Sequence, residues 1–249
     1  MAKLLHKLQI TGTLTVETGL HIGGSEVELD IGGIDSEVIK IKQGDDRIPY
    51  IPGSSLKGKL RTLLARTEGT TEPKKDTKNV LKLFGRSESY DKKERKEYKF
   101  EIARLIIRDS YPTEIKPKEA EQKEETDSPE KKPPKYKFEV EDKAENVIDR
   151  VNGGAKPRHL ERVTKGSSFD IDMIMDVYSQ QEEIALLKTL KKGFELLQKD
   201  YLGGSGTRGY GQVIIRGLKV EKFIFENNGK VTPSTPAYEG LDLVMHGEE

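Results

Sequence analysis

The 249-residue chain contains no cysteine and no tryptophan. Without thiols, disulfides and Cys-ligated zinc are excluded, and the redox compartment cannot be read. Aromatic residues make up only 6% of the chain, too few for a protein that grips single strands by stacking on their bases. Net charge is also absent, because 43 Lys and Arg balance 43 Asp and Glu. A nucleic-acid partner would have to be held by a local basic patch, not by a global field. No apolar run approaches the ~20 residues of a membrane span, and MAKLLHKLQITG at the start is no exception. The expectation is a soluble, cytoplasmic protein with no membrane partner. The four histidines, His6, His21, His159 and His246, show no H-E-x-x-H spacing, and neither a G-x-S-x-G elbow nor a G-x-x-x-x-G-K-[ST] loop occurs. Zincin chemistry, hydrolase triads and a P-loop for ATP have no support.

Charge, by contrast, is plentiful. Asp, Glu, Lys and Arg supply 35% of the residues, above the ~25% of a typical chain, which reads as a charge-laced surface. His6, Leu8, Ile10, Leu14 and Val16 alternate with mostly polar neighbours and predict a half-buried strand. A short strand is expected at Val38–Ile41. Pro49 and Pro52 then forbid a central strand, and Ser54 or Ser55 is a good N-cap for a helix whose face is Leu56, Leu60, Leu63 and Leu64. Ile102–Ser110 predicts a strand. Residues 113–143 hold eight Lys, ten Asp or Glu and four Pro, a composition that cannot bury a core and predicts an exposed or disordered insertion. Phe169, Ile171, Met173, Met175 and Val177 alternate as a strand, a helix is expected over 181–200, and QVIIRGLKVEKFIF closes as a strand. The order strand, helix, strand, insertion, strand, helix, strand suits one α+β domain over residues 1–249, a ferredoxin-like split β-α-β-β-α-β sheet with long insertions.

Four stretches carry candidate chemistry. GGSGTRGYG, Gly203–Gly211, contains G-x-G-x-x-G as Gly204, Gly206 and Gly209. A dinucleotide fingerprint follows a strand and opens a helix. Here Ile184, Leu187, Leu190, Phe194, Leu197 and Tyr201 put a helix before the loop and a strand after it, which counts against NAD or FAD. The loop is either a glycine C-cap with a turn or a close backbone approach to a phosphate. GSSLKGKLR, Gly53–Arg61, joins a helix N-terminus to Lys57 and Arg61 on one face, with Lys59 pointing elsewhere. That is an anion site or a capped surface helix with solvated lysines. HIGGS, His21–Ser25, offers a histidine, two glycines and a hydroxyl, although a histidine is commonly just packed or exposed. In DIGGIDS, Asp30 and Asp35 are turn formers, or one of them holds a divalent metal or positions a nucleophile.

Taken in order, TGLHIGGS, GGIDSEVIK, IPGSSLKGKLRTLLA, LFGRS, LIIRDS, PRHLERV and DYLGGSGTRGYGQV resemble the repeated backbone subunit of type III-A (Csm-type) CRISPR effector complexes, in the repeat-associated mysterious protein superfamily. The likeness covers most of residues 5–220. It implies a modified RRM fold and a filament of copies of this chain along a guide crRNA, beside other effector subunits. Sequence is then read by base pairing between guide and target RNA. The resemblance also implies cleavage of the target RNA with a divalent metal, expected to be magnesium. Asp35 in Gly32-Gly33-Ile34-Asp35-Ser36 would be the catalytic residue and a metal ligand. The implied RNA contacts are His21, Gly23, Gly24 and Ser25 after the first strand, and Ser54, Ser55, Lys57, Lys59 and Arg61 on the helix. Arg158 and the loop residues Gly204, Ser205, Gly206, Thr207, Arg208 and Gly209 complete them. A non-catalytic guide scaffold, or a processing endonuclease relying on a histidine such as His21, are the alternatives.

Overall fold

The computed structural model describes residues 3–24, 36–44, 46–93, 95–114, 136–225 and 231–234. Its elements run in chain order as β1 (His6–Val16), β2 (Lys40–Gln43), β3 (Asp46–Pro49), α1 (Gly53–Thr67), α2 (Lys78–Phe84), β4 (Ser89–Asp91), β5 (Lys96–Tyr98) and β6 (Leu105–Ile107). They continue with β7 (Val140–Ile148), β8 (Ala155–Val163), β9 (Ser168–Val177), α3 (Gln180–Gln198), β10 (Val213–Phe225) and β11 (Val231–Ser234).

Alternation of side chains makes the central sheet. On β1, Leu8, Ile10, Leu14 and Val16 are buried, and on β9 so are Phe169, Ile171, Met173, Met175 and Val177. With a period of two, these residues must share one face. That face is covered by α1 and α3, whose leucines Leu56, Leu60, Leu64, Leu186, Leu190 and Leu197 join the same cluster. The helices meet closely at Gly193, where an added Cβ would lie 3.4 Å from both Leu60 and Leu64. The sheet order is β11-β10-β1-β9-β6, with every neighbouring pair antiparallel. Leaving aside the edge strand β11, the core strands β1, β6, β9 and β10 lie in the order fourth, first, third, second. The α+β, ferredoxin-like arrangement expected from the element order is therefore the one observed. No described helix is long and apolar enough to cross a membrane.

Several local expectations change. The strand expected over Ile102–Ser110 shrinks to three residues, because β6 is an edge strand paired with β9 alone. The strand expected at Val38–Ile41 is shifted to Lys40–Gln43, where it forms a hairpin with β3. Neither Ser54 nor Ser55 caps α1. Its N-cap is Pro52, and no side chain of the cap residue bonds the first turn. Asp109 takes the role instead, accepting the Gly53 N–H through Oδ1 at 2.7 Å. The cause is steric: the helix start is pressed onto the segment after β6, so that a Cβ on Gly53 would stand 2.2 Å from the Ile107 carbonyl oxygen. Of the charged stretch 113–143, residues 115–135 lie outside the described residues, and Val140–Lys143 open β7.

Gly53→Ala is expected to destabilise the protein by roughly 2 kcal/mol or more, since backbone must move to admit the methyl group. Gly58→Ala, in the same helix with nothing within 4 Å of its Cβ position, is expected to stabilise by about 0.5–1 kcal/mol. Urea midpoints of the two variants check this, and equal midpoints would contradict the packing described.

Candidate nucleic-acid interface

Antiparallel pairing brings three distant segments to one end of the sheet. Val16 at the end of β1 pairs with Val213 at the start of β10, and Thr15 pairs with Ser168 at the start of β9. The chain leaving β1, the chain entering β10 and the chain entering β9 from β8 therefore meet. These are the HIGG segment, the glycine loop and the PRHLERV strand.

The glycine loop is shaped by backbone pressed on backbone. Gly204 donates its N–H to the His21 carbonyl at 2.8 Å. Its neighbour Gly203 has φ +75°, and a Cβ there would lie 2.3 Å from that same oxygen. At Gly206 a Cβ would fall 2.0 Å from the Tyr201 ring. Ser205 adopts the left-handed conformation at φ 59° and opens a single 3-10 turn, Gly206–Arg208. Gly204, Thr207, Arg208 and Gly209 are exposed, while Ser205 and Gly206 are half-buried. With Thr18, Gln198–Tyr201, Tyr210 and Gln212, the loop lines a groove of about 560 Å³.

His21 is held at both nitrogens. Nδ1 lies 2.6 Å from the Glu161 carbonyl oxygen, which can only accept, so Nδ1 carries a proton. Nε2 lies 3.3 Å from Ser36 Oγ. The Ser36 carbonyl accepts the Glu161 N–H at 3.0 Å. Buried Glu161 in turn accepts from the Val38 N–H at 3.0 Å and from Lys40 Nζ at 2.6 Å. Gly23 is exposed, and Gly24 donates to the Glu37 carbonyl at 3.2 Å. Ser25, Asp30 and Asp35 lie outside the described residues. Ser36, which follows Asp35 in the chain, is thus anchored against His21.

The β7–β8 hairpin leaves little trace in the sequence. It buries little apolar surface, so no alternation marks it. Its turn, Asn152-Gly153 with Gly153 at φ 72°, was the available signal. The buried Tyr210 hydroxyl donates to Glu145 of β7 at 2.6 Å, tying the glycine loop to the hairpin. Lys143 and Arg162 lie 4.4 and 4.9 Å from the Tyr210 ring centroid. Burial, and then the Glu145 carboxylate, push the Tyr210 hydroxyl's pKa up. The bond from Tyr210, with Lys143 beside it, holds the Glu145 carboxyl below its usual range. Arg158 is exposed on β8 at the position opposite Glu145. Arg208 reaches the same carboxylate at 3.8 Å and donates to Ser205 Oγ at 2.6 Å.

The basic residues of α1 part company. Lys59 bonds Asp200 at 3.1 Å and stands 3.6 Å over the Tyr201 ring, pinning α1 to the base of the glycine loop. Arg61 donates to Asp76 at 2.7 Å and to the Pro73 carbonyl at 3.0 Å. Lys57 is half-buried, and burial followed by the nearby Arg61 charge lowers its pKa. Among the described residues no carboxylate pairs with Lys57. Ser54 is exposed and Ser55 half-buried. The helix-start anion site expected from sequence is engaged in part by the chain's own Asp109. Among the described residues, no three His, Asp or Glu side chains gather to hold a metal ion.

Residues 13–214 match the RAMP superfamily, and the chain belongs to it. Its relatives include the CRISPR system Cms endoribonuclease Csm3 of Streptococcus thermophilus, 40% identical over 86% of this chain and 89% of that protein. The Csm3 endoribonuclease of Methanocaldococcus jannaschii is 36% identical over 95% of this chain and 90% of that protein. Among solved structures, the Csm3–Csm4 subcomplex of the type III-A CRISPR-Cas interference complex aligns with a TM-score of 0.50 and 27% identity, covering 93% of this chain and 89% of that one. A chain of the type III-B Cmr-beta complex bound to cognate target RNA aligns at a TM-score of 0.54 over 86% of this chain and 61% of that one. At 16% identity it shares the fold.

Tyr210→Phe, which removes only the hydroxyl on Glu145, is expected to cost about 1–2 kcal/mol. Glu145→Gln keeps an acceptor there and is expected to cost less. Chemical denaturation of both variants measures this, and an unaffected Tyr210→Phe midpoint would mean that this bond does not hold loop and hairpin together.

Proposed function

We propose that this chain is a backbone subunit of an RNA-guided, type III-A effector, which binds guide crRNA and cuts the target RNA paired with it. Copies of the chain would line up along the guide in a cytoplasmic complex with other Csm-type subunits. The observation that carries the reading is the convergence of the HIGG segment, Ser36 and the glycine loop at one end of the sheet, in a chain 40% identical to a Csm3 endoribonuclease.

The chemistry follows from RNA itself. Held in line, a ribose 2′-oxygen attacks the adjacent phosphorus and the 5′-oxygen leaves, giving a 2′,3′-cyclic phosphate. This chain's part is to grip the backbone on both sides of that phosphate. On the Gly204–Gly209 loop, the exposed Thr207 hydroxyl and Arg208 guanidinium suit phosphate oxygens. Lys57 suits them too, because an incoming phosphate relieves the cost of holding its half-buried ammonium charged. Asp35 would orient the nucleophile and is the ligand this chain offers to a magnesium ion. The described residues form no site for an ion by themselves. A histidine-driven processing reaction is less well supported, since both nitrogens of His21 are engaged within the chain. His21 is better read as a positioning residue for the Ser36 end of the Asp35 loop.

Asp35→Ala is expected to slow cleavage of a guide-matched RNA by the assembled complex at least about a hundredfold, the scale of a misplaced reacting group, with guide binding unchanged. Cuts that survive the substitution would leave a guide scaffold. Omitting magnesium or adding chelator is expected to stop the same cuts, and cutting in chelator would remove the metal from the account. Lys57→Ala is expected to lower the slope of log affinity against log salt by about 0.7 for a single strand, and an unchanged slope would remove it from the phosphate clamp.

A further inference from the structure

A second cationic groove lies outside this site. The 3-10 turn Pro73–Lys75 and the β4–β5 hairpin enclose about 690 Å³ lined by Lys74, Lys75, Asp76, Arg86, Lys96, Glu97, Tyr98 and Lys99. Five of these eight side chains are cations and two are carboxylates, in a chain whose net charge is zero; Glu72, which reaches both Lys74 and Lys75, and Asp91, which bonds Lys74, offset part of that excess. One of the carboxylates, Asp76, is already taken by Arg61. Arg86 is fixed by two main-chain carbonyls, one from each wall: Nε donates to Lys99 O at 2.8 Å and Nη1 to Lys74 O at 3.2 Å. Carbonyls orient a guanidinium without neutralising it. Lys75, Lys96 and Lys99 are exposed around it. Among the described residues Tyr98 is the sole aromatic in the lining, and it is buried, with Lys74, Arg86 and Lys96 each 5.3–5.6 Å from its ring centroid. That ring is a floor for cations, so the groove is built to take anionic oxygens rather than a stacked base.

We propose that this groove is a second contact for the phosphate backbone of a single RNA strand, an inference that rests on the reading of the chain as an RNA-binding subunit. Two observations favour RNA over an acidic protein. The groove is continuous with the basic face of α1, because Arg61 of that face bonds Pro73 and Asp76 at the groove's rim. A strand held at Lys57 therefore has a cationic track leading onward. Among the described residues the lining also offers no exposed apolar or aromatic anchor, which protein interfaces concentrate at their centres. Arg86 presents a planar fork that matches two phosphate oxygens, and the three exposed lysines supply charge along the path.

The test uses the full-length chain and a labelled single-stranded RNA, with affinity measured from 50 to 200 mM salt. Three proteins are compared with the wild type: Lys57→Gln; Lys75→Gln with Lys96→Gln and Lys99→Gln; and the same three positions changed to Arg. At about 0.7 per phosphate contact on a single strand, the triple Gln variant is expected to lose about 2 units of slope. The triple Arg variant is expected to keep it, and the Lys57→Gln loss is expected to add to the triple's. A triple Gln slope equal to wild type, with Lys57→Gln still reduced, overturns the groove and leaves the RNA-binding reading standing. Absence of salt-dependent RNA binding by the wild type overturns that reading and the groove with it. If the triple Gln variant keeps its RNA slope but no longer retains a neighbouring subunit in the assembled complex, the groove is a protein-docking surface and the RNA assignment fails.

Discussion

The hydrogen bond from Gly204 N–H to the His21 carbonyl, 2.8 Å long, closes a gap of more than 180 residues in the chain. It forms because β1 and β10 are antiparallel neighbours, so the end of one lies beside the start of the other. Glycine at position 203 is what lets it close, since a Cβ there would sit 2.3 Å from the same oxygen. From this contact the rest of the site follows. His21, fixed by its own carbonyl, turns its ring to Glu161 and Ser36. The glycine loop, fixed at Gly204, places Tyr210 under the hairpin and leaves Thr207 and Arg208 facing solvent.

The fold directs function away from its sheet. One face is sealed by α1 and α3. The opposite face carries Asp170, Asp172 and Asp176, alternating with the buried residues of β9. Their ion pairs and hydrogen bonds run to Lys7, Gln9, Arg108 and Thr113. A row of carboxylates repels a phosphate backbone, and stacking aromatics are scarce in the chain. On the proposed reading, RNA contact falls to the loops at the end of the sheet and to the helix beside them, where glycines let the backbone approach a ligand closely.

What could be read from the residues divides along physical lines. Strands β1 and β9 were legible because each is half-buried and alternates, and α3 because its apolar residues recur at helical spacing. The split sheet followed from element order. The β7–β8 hairpin was not legible, because it is held by cross-strand pairs and ion pairs that leave no apolar pattern. The serine cap was misplaced because the true cap, Asp109, comes from another segment, and local sequence cannot show a tertiary partner. Spacing puts Lys57 and Arg61 on one face and Lys59 elsewhere, but it does not show which of the three is left available. Only the partners Asp200, Tyr201 and Asp76 separate the lysine that is available from the two cations that brace the fold. The catalytic reading of Asp35 came from resemblance to a family, which carries more than the bare pattern Gly-Ile-Asp-Ser can.

The central claim is that RNA is gripped by the loops converging at one end of the sheet and by α1, not by the open sheet face. Hydrogen–deuterium exchange of the chain with and without bound single-stranded RNA tests it directly. The account predicts slowed exchange in peptides covering 19–24, 53–61 and 203–211, with no change over the strands 6–16 and 168–177. Protection of those two strands, with the glycine loop unaffected, would contradict it.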